Sequence, residues 1–98
     1  MITQKQIDDF LTYLNTTYGT SERIYKAQKL RKRYRVSLTN YNSLGVYCFI
    51  DFEGNLYKYA SWNAPDRHIR GHIDSPEKCC EKYSLVYWTP GRKKKYES

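Results

Sequence analysis

The sequence predicts an α+β fold: one N-terminal helix packed on a small, mostly antiparallel sheet of three or four strands, with a short helix after the third strand. Three observations point there. Apolar residues keep a helical spacing near the N-terminus. From residue 32 the period changes to two, with β-branched and aromatic residues on alternate positions. Between two such runs, Glu53-Gly54-Asn55 supplies tight-turn chemistry.

The helix is predicted over residues 4–18. Thr3 and Gln6 form a capping box, Ile7, Phe10, Leu11, Leu14 and Tyr18 make one apolar stripe, and Gly19 is a C-terminal stop. Residues 20–31 admit two readings: a second helix capped by Ser21, with Ile24, Ala27 and Leu30 on one side, or a basic loop leading into a strand. Tyr34, Val36 and Leu38 then alternate with Arg33, Arg35 and Ser37, a half-buried strand that presents the two arginines outward. After the turn-rich residues 40–45, Val46 to Phe52 is the most apolar run and reads as a central strand. Leu56 to Ser61 returns as its hairpin partner. Asn63 is a helix cap, with Pro65 and Asp66 in the first turn of a helix that Gly71 interrupts. Tyr83 to Trp88 reads as a last short strand, stopped by Thr89-Pro90-Gly91. Residues 1–91 are expected to form a single domain, and the basic tail 92–98 to be mobile.

Composition bounds the function. Ninety-eight residues, 40% hydrophobic and 28% charged, suffice for one ordinary core. No apolar run approaches the ~20 residues of a membrane span, and the N-terminus lacks a signal-type apolar segment, so no membrane association is expected. Three cysteines, two of them adjacent, do not make a disulfide framework; Cys48 is expected to be buried, and Cys79 and Cys80 partly exposed. The net charge of +7 is concentrated, with seven basic residues from Arg23 to Arg35 and four from Arg92 to Lys95. Such a field favours a polyanionic or acidic partner.

The runs Val46-Tyr47-Cys48-Phe49-Ile50-Asp51, Gly54 to Lys58, Ala60-Ser61-Trp62-Asn63-Ala64-Pro65 and His68-Ile69-Arg70-Gly71-His72-Ile73 resemble a group of small uncharacterised bacteriophage proteins. The resemblance covers about residues 34–88 and is sharpest at the Trp62–Pro65 turn. It departs at His72, where the group has asparagine, and at residues 74–80, where the group is rich in glycine. It implies phage origin and a place in the cytoplasm of a bacterial host cell. It implies no activity.

The site must therefore be read from the residues. His68 and His72, at i and i+4 on a helix, together with Cys79 and Cys80, would give a zinc set, but adjacent cysteines violate the usual ligand spacing, and no metal is assigned. The acids Asp51, Glu53, Asp66 and Asp74 are scattered, and no phosphate loop or nucleophile elbow is present, so no catalytic residue and no cofactor are assigned. Anion binding fits better. Arg67 and Arg70, at i and i+3 on the helix after Asn63, would converge with Lys58 and His68, while Trp62 either stacks on a base or plugs the core. Arg31, Lys32, Arg33 and Arg35 are the expected phosphate contacts, and Tyr34, Tyr57 and Tyr59 the stacking groups. The expected function is a small non-enzymatic accessory protein that binds a polyanion, nucleic acid foremost, or a nucleotide, through this basic and tyrosine-rich surface. The alternative is an inhibitor of a host or antiphage-defence protein, or a sponge for a nucleotide signal.

Overall fold

The cap sets the start of the helix. In the computed structural model, which describes residues 1–86, α1 (Gln4–Thr17) begins where the Thr3 hydroxyl accepts from the Gln6 amide at 3.2 Å and the Gln6 side chain accepts from the Thr3 amide at 3.0 Å. Ile7, Phe10 and Leu14 form its buried stripe. Five strands follow: β1 (Arg23–Lys29), β2 (Arg33–Asn40), β3 (Ser43–Asp51), β4 (Asn55–Tyr59) and β5 (Pro65–His72). They pair antiparallel in sequence order, a plain meander, so the fold is α+β with a five-stranded sheet. No helix among the described residues is long and apolar enough to cross a membrane.

The sheet has five strands rather than three or four, and the two at its edges, β1 and β5, stand where the sequence predicts a helix or loop and a short helix. Residues 23–29 are neither helix nor loop but edge strand β1. The helix expected after Asn63 does not form, because Pro65 opens edge strand β5, a position that needs no backbone N–H. The supposed capping groups are used elsewhere: Asn63 accepts from Arg35, and the Asp66 carboxylate accepts from the Arg67 amide. Of the last expected strand, residues 83–86 contribute only the isolated bridge Cys80–Leu85, and residues 87 and 88, like the tail 92–98, lie outside the described residues.

One sheet face carries the core. Tyr34, Ile50, Leu56 and Gly71 lie on one row across β2 to β5, and Val36 and Cys48 on the next. These pack with Ile7, Phe10 and Leu14 of α1. Val36 pairs with Cys48 but Ser37 with Val46, so Tyr47 is the extra residue of a β-bulge. The bulge brings Tyr47 into the core, fully buried and edge-on to Tyr25 at 5.1 Å. Hydroxyls of Tyr18, Tyr47 and Tyr25 then donate to the consecutive carbonyls of Cys80, Glu81 and Lys82, pinning the C-terminal segment across the core face. Cys79 lies so close to Gly71 that an added Cβ would sit 2.5 Å from its Sγ, which is why β5 has glycine there.

The β1 edge is guarded. The Asn15 carboxamide donates to the Tyr25 carbonyl at 3.0 Å and accepts from the Tyr25 amide at 2.9 Å, reproducing the bond pair a neighbouring strand would make. Thr20 and Arg23 exchange a second pair of backbone bonds just before it.

Candidate functional site

The opposite face of the sheet bears no helix among the described residues. Its central row runs through all five strands: Gln28, Arg35, Phe49, Tyr57 and Ile69, each paired with the next. Flanking rows hold Arg33 with Asp51, Lys26 with Ser37 and Val46, and Ile24 with Thr39 and Leu44. Ile24, Leu44, Tyr59, Trp62 and Ile69, five of the eight exposed large hydrophobics among the described residues, belong to this face or to the loop above it. Amphipathic strands normally put such side chains against a core, so their collection on one exposed face makes it the candidate interaction surface.

Arg35 organises it. Its guanidinium stacks 4.1 Å from the Trp62 ring centroid and donates to the Gln28 side chain at 2.8 Å and to the Trp62 carbonyl and Asn63 side chain at 3.3 Å each. These contacts draw the β4–β5 loop back across the sheet. Arg35 is only 8% exposed, whereas Trp62 keeps 40%. Phe49, beside Arg35 and Tyr57, is fully buried although it points away from the main core.

Tyr57 is fixed by its hydroxyl, which donates to Asp51 at 2.9 Å. The Asp51 carboxylate also accepts from the Glu53 and Asn55 amides and the Asn55 side chain. Burial opposes its ionisation, but these bonds outweigh it and hold Asp51 below the usual carboxylate range. Asp51 thus locks the β3–β4 turn and spends its charge on neutral donors.

The expected site residues separate into groups. Arg33 and Arg35 lie on the open face as anticipated, although Arg35 is committed to Trp62. Arg31 and Lys32 form the exposed β1–β2 turn at the Arg33 end of that face. Trp62 is on the face, so it does not plug the core. Tyr34 is buried on the core side, edge-on to Phe52 at 5.7 Å, and presents no ring for stacking. The convergence of Lys58, Arg67, His68 and Arg70 does not occur. Lys58 faces the core side and lines a cleft of about 520 Å³ with Tyr18 and residues 81–86. Arg70 lines a different cleft of about 360 Å³ with Asn55, Gly71 and Lys78, and pairs with Asp66 at 3.4 Å. Arg67 and His68 stand exposed on β5.

The zinc alternative loses its geometry with the helix. Residues i and i+4 of a strand lie ~13 Å apart. His72 instead donates through Nε2 to the Glu53 carbonyl at 2.9 Å and accepts the Asp74 amide on Nδ1 at 3.1 Å. Among the described residues no three metal-ligating groups come together. All three cysteines are buried and unpaired, Cys79 and Cys80 included, contrary to the expected exposure. Burial pushes the Cys48 thiol up; donation to Cys79 and burial do the same for Cys80.

The chain belongs to a family described as Family of unknown function (DUF7717), whose profile matches residues 3–93. No curated protein and no solved structure matches it. The Arg35–Trp62 pair had no sequence signal: Asn63 read as a helix cap, and 27 residues separate Arg35 from the carbonyl it binds.

Proposed function

We propose that this protein binds nucleic acid on the open face of its sheet, as a non-enzymatic accessory protein of phage origin acting in the cytoplasm of the infected bacterium. The observation that carries the reading is the Arg35–Trp62 stack, set among Tyr57, Tyr59, Lys26 and Arg33 on a face that no helix of the described residues covers. Aromatic rings interleaved with cations supply stacking and phosphate contact together. Lys26, Arg31, Lys32 and Arg33 are the phosphate contacts in this reading; Arg35 holds the loop. Binding of a labelled oligonucleotide, followed by fluorescence anisotropy, tests it. Four phosphate contacts to a single strand predict that affinity falls roughly 50-fold between 50 and 200 mM salt. Absence of binding at low salt, or binding indifferent to salt, refutes the reading.

A second reading rests on the aliphatic part of the same face. Ile24, Leu44 and Ile69 suit a protein partner, and with it the role of inhibitor of a host or antiphage-defence protein. A defined stoichiometric complex that survives nuclease and high salt supports that reading over the first.

A further inference from the structure

Resting on the nucleic-acid reading, we infer that the ligand is single-stranded and lies with bases stacked on Trp62 and Tyr59, and that Arg35 is the positioning residue that sets the indole. A duplex offers a protein its phosphates and groove edges, while its base planes stay stacked inside. Against such a surface the exposed side chains of Trp62, Tyr59 and Ile69 would meet only charge and water. A single strand presents base planes, and each stacked base contributes through its π-face whatever its identity. The face matches that ligand in shape as well: the axes of its two edge strands lie ~19 Å apart at ~4.8 Å per spacing, and among the described residues neither a helix nor a protruding β-ribbon stands on it to enter a groove.

The Arg35 guanidinium occupies one side of the Trp62 ring at 4.1 Å, yet the residue stays 40% exposed. A base stacking on the free side would complete a sandwich of cation, indole and base. The cations are offset from the rings. Arg31 and Lys32 sit at the β1–β2 turn and Arg33 beside it, where they neutralise a backbone that leaves the aromatic patch. Arg35 itself, with three acceptors satisfied, needs no phosphate.

The test compares three probes at one low salt concentration: a mixed-sequence single-stranded oligonucleotide of about 20 nucleotides, its annealed duplex, and inorganic polyphosphate. The inference predicts single-strand binding at least tenfold tighter than duplex. Trp62→Ala should weaken single-strand binding by about 5- to 150-fold, the range of one lost stack, while leaving polyphosphate binding unchanged. Trp62→Phe should restore most of it. Arg35→Lys, which keeps the charge but loses the planar stack, should weaken the single strand and spare polyphosphate. If Trp62→Ala loses the native circular dichroism spectrum, Tyr59→Ala carries the same comparison. Equal affinity for all three probes, unchanged by Trp62→Ala or Tyr59→Ala, would overturn this inference and leave nucleic-acid binding by charge standing. Binding of none of them would overturn both.

Discussion

Replacing Arg35 tests the architecture of the open face before any ligand is added. The side chain is nearly buried and makes one short charge-assisted hydrogen bond, two longer ones and a cation–π stack. A desolvated cation–π contact is worth about 1–2 kcal/mol, and a hydrogen bond to a charged group about 1.5–3 kcal/mol. Part of this is offset, because removing the guanidinium also removes the cost of burying it. The acceptors it would abandon sit on exposed residues, Gln28, Trp62 and Asn63, and can return to water. The balance for Arg35→Ala, including lost cover over Phe49, is about 2–4 kcal/mol, which at about 4–8 °C per kcal/mol lowers Tm by roughly 8–32 °C. Arg35→Lys should lose about half as much. Thermal and urea unfolding followed by circular dichroism measure the loss, and a double-mutant cycle with Trp62→Ala isolates the stack at about 1–2 kcal/mol. A loss below about 0.5 kcal/mol for Arg35→Ala, or a coupling near zero, refutes the argument that this pair holds the loop.

Other consequences follow from the same packing. Asn15→Ala should leave the Tyr25 amide and carbonyl open on the sheet edge, costing about 1–2 kcal/mol and promoting concentration-dependent self-association, which size-exclusion chromatography detects. Gly71→Ala should destabilise by about 1–3 kcal/mol because its methyl meets the Cys79 sulfur, and Cys79→Ala in the same chain should recover part of that loss. Stability should also fall above pH 10. Burial pushes the Tyr25 hydroxyl up to about 12, and raises Tyr47 too, whereas an unfolded tyrosine ionises near 10. The folded state therefore keeps protons that the unfolded state releases, and stability is lost as pH rises from 10 toward 12. Tyr47→Phe should flatten that slope, and unfolding midpoints across the window measure it.

The parts of the fold that one sequence discloses are those where burial is one-sided and regular. Thr3, Gln6 and the Ile7–Phe10–Leu14 stripe announce α1, and alternation around Tyr34–Leu38 and the Glu53-Gly54-Asn55 turn announce β2 to β4. The edges lack that signal. In β1 the single fully buried large side chain is Tyr25, and in β5 none is buried, Ile69 being 53% exposed. Two register shifts in the β4–β5 pairing further erase the alternation there. With little apolar periodicity to oppose them, Asn63, Pro65 and Asp66 imitate a helix start. The tyrosines divide for a different reason. A hydroxyl donating to a carbonyl far along the chain, as in Tyr18, Tyr25 and Tyr47, has the same sequence appearance as a ring free to stack. Only tertiary placement distinguishes Tyr59 on the open face from Tyr34 beneath the sheet.

The most direct test of the account is a nuclear magnetic resonance titration of the 15N-labelled protein with a single-stranded oligonucleotide at low salt. The account predicts that the Trp62 indole and the backbone amides of Lys26, Arg33, Tyr57 and Tyr59 shift together, and that those of α1 and of residues 79–82 stay in place. Shifts confined to the Lys58 cleft around Tyr18 and residues 81–86, with Trp62 unmoved, would contradict it.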